Sequence, residues 1–200
     1  MRSDGELLRL ESDVLGIPED GEAVVAQTSD GHTFAVLGAG LDPGFTEADA
    51  LRLRPGGDGD PSYLVVPPLR HEFPVEVLDH RHAERVRGLR PGNWTAEEWA
   101  ELLDGGAGAP WTMVVEDGQV VSICHTPRRT AAGAEAGTWT APGHRGRGHA
   151  AATTVAWARI LAPDCPLLFY STSADNRSSQ RVAERLGLRP LGRLWRVPLT

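Results

Sequence analysis

The chain has 200 residues, 40% apolar and 24% charged, with a formal net charge of −7. That length holds one α/β domain, or a core domain with a small extension. The acidic balance argues against a nucleic-acid partner, which would need a basic face, and no run approaches the ~20 apolar residues of a membrane span.

All 20 cations are Arg, and with 23 Gly, 15 Pro and abundant Ala this points to a GC-rich, bacterial gene. Cys124 and Cys165 lack the close, even spacing of a disulfide framework and read as reduced thiols. The start, Met1-Arg2-Ser3-Asp4-Gly5-Glu6, has no apolar segment of the kind a signal peptide needs, so a cytoplasmic location is expected.

Residues 6–10 form a weakly apolar stretch ending at Glu11-Ser12-Asp13. Residues 23–28 and 33–37 read as strands joined through Asp30-Gly31, the strongest short hairpin signal. Thr46 followed by acidic residues starts a short helix over 46–51. Residues 55–61 form a Pro/Gly/Asp loop, and 63–66 a compact strand stopped by Pro67-Pro68. Residues 1–73 thus read as an N-terminal α/β extension without visible chemistry; no internal repeat establishes it as a second copy of the main fold.

The main domain is expected over 74–200. Val75 to Leu78 alternates as a strand. His80 and His82 follow, two apart; they could ligate a metal from one face, but no partner Cys or carboxylate pattern is nearby, and no metal is expected. Thr95 and Glu98 make a capping box for a helix with Trp99, Leu102 and Leu103 on one stripe. Its acidic face, Glu97, Glu98 and Glu101, is either solvated or a recruiter of amines. Residues 111–115 and 120–124 form a hairpin around Asp117-Gly118. His125 leaves the second strand, as a cleft base or as a strand-end histidine with local bonds.

Residues 134–140 give another strand and run into Pro142-Gly143 and then Arg145-Gly146-Arg147-Gly148-His149-Ala150, ahead of a helix over 151–162. Glycines let the backbone turn tightly and come close to a ligand. The first-turn N–H groups of the following helix lack internal partners; with the helix dipole and two arginines they favour an anion such as a diphosphate. The nucleotide P-loop is excluded, since it requires a Lys and the chain has none. The dinucleotide fingerprint is excluded by Ala150 in place of its third Gly and by the late position in the chain. Residues 167–170 form a strand apolar enough to be buried on both faces. The last helix ends at Leu186-Gly187, and 193–199 closes the sheet. This order predicts an α/β fold, a mixed sheet with crossover helices, and a ligand where the central strands splay.

Arg145-x-x-Gly148-x-Ala150 resembles the pyrophosphate loop of the GNAT superfamily of acyl-CoA N-acyltransferases. Asn176-x-x-Ser179, leading the helix through Val182-Ala183-Glu184-Arg185-Leu186-Gly187, resembles its second motif, and Glu135 falls at a frequent acidic position upstream. The resemblance covers roughly 74–200. It implies a mostly antiparallel sheet and binding of acetyl-CoA as co-substrate: the diphosphate on the amides of Arg145, Gly146, Arg147, Gly148, His149 and Ala150, the pantetheine arm along Trp139, Thr140 and Ala141, and contacts from Asn176 and Ser179. It also implies transfer to a primary amine of a small molecule by direct attack in a ternary complex. Glu135 is then the candidate base; otherwise it is a strand carboxylate bonded to a neighbour. The tyrosine that many members use as the acid is replaced by Ala183, which leaves Tyr170 or water. A non-catalytic acyl-CoA-binding module and a protein acetyltransferase stay open, as does a homodimer.

Overall fold

The computed structural model describes residues 2–69 and 73–199. The chain builds β1 (Glu22–Thr28), β2 (Thr33–Leu37), β3 (Asp60–Val65), β4 (Leu78–Asp79), β5 (Gly108–Glu116), β6 (Gln119–Arg129), β7 (Ala134–Thr140), β8 (Leu168–Ser171) and β9 (Arg189–Pro198). Its helices are α1 (Asp4–Leu15), α2 (Glu47–Arg52), α3 (Ala83–Val86), α4 (Ala96–Leu103), α5 (His149–Leu161) and α6 (Arg177–Leu186). All nine strands join one sheet in the order β2-β1-β9-β3-β8-β7-β6-β5-β4. Its pairs are antiparallel except β7 with β8, which is parallel. A parallel pair needs a long crossover, and α5 supplies it. This is the mixed, mostly antiparallel α/β architecture that the resemblance implied.

The N-terminal stretch is built into that sheet through β1, β2 and β3. β3 sits between β8 and β9, and β1 pairs with β9 over seven positions. The sequence reading gave residues 6–10 only as a weakly apolar stretch, whereas the structure has a 12-residue helix capped by Ser3 and Glu6 in a capping box. The run Glu11-Ser12 hides it, because both polar residues are buried on the inner face. Ser12 Oγ returns a hydrogen bond to the Leu8 carbonyl, and Glu11 accepts from Ser62 Oγ of β3. The strand expected at 75–78 shrinks to Leu78–Asp79, paired with Met113 and Thr112. His82 Nδ1 lies 3.1 Å from Asp79 Oδ1, so His82 serves a local turn, while His80 is exposed.

Side-chain alternation along the strands assigns the two faces. Ala134, Ala136, Leu168 and Tyr170 pack with α5 and α6; Leu64, Phe169, Leu191 and Leu194 pack under α1. α4 lays Trp99, Leu102 and Leu103 on Trp111, Met113 and Ile123, the face opposite α5, since Thr112 hydrogen-bonds the Thr153 carbonyl of α5. The crossover helix is therefore clamped between a rigid sheet and α6, which fixes where its N-terminus points.

Candidate active site

The turn between β7 and α5 requires its glycines. Gly146 and Gly148 have φ of +79° and +92°, the left-handed region that costs an L-residue about 1–2 kcal/mol. Gly148 is the N-cap of α5 and offers no side-chain hydrogen bond. The first backbone bond of the helix runs from the Ala152 N–H to the Gly148 carbonyl at 2.9 Å. The amides of His149, Ala150 and Ala151 thus open the helix without an internal acceptor.

They face a cleft of about 410 Å³ between α5 and α6. Thr140, Arg145, Gly146, Gly148, His149 and Ala150, all singled out in the sequence, line it. So do His144, Ala151, Ser178, Arg181, Val182 and Arg185, which sequence reasoning missed. Arg181 and Arg185 stand one turn apart on α6, and that i, i+4 spacing was the available signal. Arg185 reaches across the turn: a Cβ on Gly148 would lie 3.1 Å from its Nη1. Among the described residues no carboxylate lines this cleft, while three arginines do, so in a chain of charge −7 this surface is locally cationic.

The side chains of other expected residues have partners of their own. Trp139 turns to the opposite face against the α4 cluster, and Ala141 lines a separate hollow with it. The guanidinium of Arg147 goes to Glu116 and the Gly143 carbonyl. Asn176 Oδ1 accepts from the Ser179 N–H at 3.1 Å, which caps α6.

β7 and β8 pair only at Ala134–Glu135 with Leu168–Phe169 and then part. The β8-facing edge of Gly137–Thr140 has no strand partner there; the Thr140 carbonyl instead accepts from Arg145 Nε at 3.2 Å. Tyr170 bridges the parting. Its hydroxyl lies 3.4 Å from Thr138 Oγ1 and donates to the Ser179 carbonyl at 3.3 Å. Burial raises its pKa above the ordinary tyrosine value.

Glu135 lies on the other face, 4% exposed and beneath α1. Its Oε1 accepts from the Ser171 N–H at 2.6 Å and from Ser171 Oγ at 2.8 Å, while Oε2 is buried without a partner. Burial pushes this carboxyl up to about 7, against the lowering effect of the Ser171 bonds. Glu11 of α1 is also fully buried and is raised well above the carboxylate range, by burial first and by Glu135 second. Ser62 and Ser171, which bond the two carboxyls, are register partners, so the two serine–carboxyl pairs lie side by side across β3 and β8. His125, on the same face, is 5.2 Å from the Trp94 ring. Burial depresses it to about 4, and its Nδ1 is unpartnered, so it is a neutral imidazole at pH 7.

A family model described as an acetyltransferase (GNAT) domain matches residues 67–189, well over half of the chain. No curated protein matches it. Among solved structures, a GNAT-family acetyltransferase from Novosphingobium aromaticivorans is 22% identical with a TM-score of 0.50, over 70% of this chain and 62% of that one. One from Colwellia psychrerythraea is 14% identical with a TM-score of 0.57, over 76% and 60%. A tandem GNAT protein from the clavulanic acid biosynthesis pathway is 19% identical with a TM-score of 0.53, over 90% and 64%. The chain therefore spans only about three-fifths of the length of these proteins, and the likeness is one of fold.

Proposed function

Because the chain belongs to the GNAT acetyltransferase family, we propose that it transfers the acetyl group of acetyl-CoA to a primary amine of a small molecule, by direct attack in a ternary complex. The observation that carries this reading is the uncapped start of α5, opening into a cleft that, among the described residues, holds three arginines and no carboxylate. Backbone donors, the helix dipole and guanidinium groups together select a diphosphate. The loop amides from Arg145 to Ala150 hold it. The open edge of β7, up to Thr140, pairs with the pantetheine arm as an added strand would.

The chemistry requires a neutral amine, so a proton must leave it as the C–N bond forms. Glu135 is the proposed acceptor: a carboxyl at about 7 matches a base working near neutral pH. A main-chain N–H near Thr140 would stabilise the oxyanion. As the C–S bond breaks, the leaving thiolate takes a proton from the Tyr170 hydroxyl, a role supported by its position beside Thr138 where β7 and β8 part, and the Tyr170 phenolate is reprotonated from solvent. Glu135 then returns its proton to solvent. Because Glu135 is sealed under α1, an acceptor reaches it only when α1 yields.

That seal supports a second reading, an acyl-CoA-binding module without turnover. Incubation of the chain with acetyl-CoA and a panel of primary amines, followed by free-thiol release and product mass, separates the two. An amine gaining one acetyl group supports transfer. CoA binding with no acetylated product from any amine supports the binding module and removes the enzymatic reading.

A further inference from the structure

We propose that Glu116, His144 and His149 form a binding site for one divalent transition-metal ion of the Zn²⁺ class. Three separate elements bring them together. Glu116 ends β5 at the hairpin, His144 closes the one-turn 3-10 helix Pro142–His144, and His149 opens α5. One donor atom from each lies within 4.8 Å of the other two. Two imidazoles with one carboxylate suit Zn²⁺ and its neighbours, whereas Mg²⁺ and Ca²⁺ prefer all-oxygen surroundings.

A second observation points the same way. The His149 ring is only 6% exposed, yet neither of its nitrogens has a hydrogen-bond partner among the described residues. Its Nε2 stands 3.2 Å from Glu116 Oε1 without the alignment a hydrogen bond needs. A buried imidazole left in this state is costly, and a metal ion would satisfy it. His144 Nδ1 lies 2.8 Å from Glu116 Oε2. Ligands about 2.0–2.2 Å from a tetrahedral Zn²⁺ sit roughly 3.3 Å from one another, so the rings need shifts on the order of 1 Å. The competing cation is Arg147, with Nη1 3.3 Å from Glu116 Oε2 and Nη2 on the Gly143 carbonyl at 3.2 Å; its side chain is 55% exposed, so water can replace Glu116 as its partner.

The two histidines bracket the loop 145–148, so an ion here would tie that loop to the β5–β6 hairpin. The site does not depend on acetyl transfer and can be tested without it.

Calorimetric titration of the chelator-treated full chain with ZnCl₂, and separately with MgCl₂, tests the proposal. One Zn²⁺ per chain is expected, with at least about 100-fold preference over Mg²⁺. H144A and E116Q should each weaken Zn²⁺ binding by at least about 100-fold, more than loss of an outer-shell partner costs. Both residues are partly exposed, and far-UV circular dichroism checks that each variant is folded. H149A removes a buried ring and serves only to support the pair. Absence of binding heat, Mg²⁺ bound as tightly as Zn²⁺, or undiminished binding in folded H144A and E116Q overturns the site.

Discussion

Glu135→Gln should stabilise the protein above neutral pH by an amount that grows with pH. In the folded chain burial raises this carboxyl from 4.5 to about 7, so the folded state holds its proton more tightly than the unfolded chain does. Its contribution to stability is therefore complete below about 4.5 and is lost as pH rises through about 7. The displacement corresponds to about 3 kcal/mol. Glutamine keeps an oxygen to accept the Ser171 N–H and hydroxyl. Its amide N–H₂ takes the place of Oε2, which has no partner among the described residues, and faces the neighbourhood of Glu11 without adding a charge. The variant should match wild type near pH 4.5 and exceed it by about 3 kcal/mol at pH 8. His125 acts in the opposite sense, because burial depresses it from 6.5 to about 4. Stability from this group is lost as pH falls through about 4, and it partly flattens the wild-type profile. It is present in both chains, so it cancels in their difference. Urea denaturation followed by tryptophan fluorescence, at half-unit steps from pH 4.5 to 8.5, reads that difference directly. A difference independent of pH, or a variant less stable than wild type at pH 8, would refute the reasoning.

Gly148→Ala forces a side chain into φ +92°, at about 1–2 kcal/mol, and presses on Arg185. CoA binding measured by calorimetry should weaken roughly 5- to 30-fold, and unchanged affinity would show that the turn does not grip the ligand. Leu8→Ala empties a fully buried position under α1 and should cost about 2–5 kcal/mol in urea denaturation. A cost below about 1 kcal/mol would mean that α1 is only loosely docked on the sheet.

What was legible in the sequence is what short-range chemistry dictates. The Asp-Gly hairpins, the Thr95 capping box, the Gly146/Gly148 turn and the apolar β8 all announce themselves within a few residues, and each stands where expected. What was hidden depends on distant partners. α1 is obscured by Glu11 and Ser12, whose burial makes sense only once Ser62 arrives from β3. The insertion of β3 between β8 and β9 leaves no local trace. The sequence could place Glu135 on the strand before the loop, but not Glu11 beside it or α1 above it. The cationic wall of the cleft was readable in principle, since Arg181 and Arg185 share one helix face; the Asn176 motif also marks the cap of that helix.

The central claim is that the main-chain amides at the start of α5 hold a diphosphate. Calorimetric titration with CoA, with dephospho-CoA, which keeps the diphosphate, and with pantetheine, which lacks it, tests this most directly. Losing two charge-assisted hydrogen bonds costs roughly 3–6 kcal/mol. Dephospho-CoA should therefore bind within about 10-fold of CoA, and pantetheine at least about 100-fold more weakly. Pantetheine bound within about 10-fold of CoA would contradict the account.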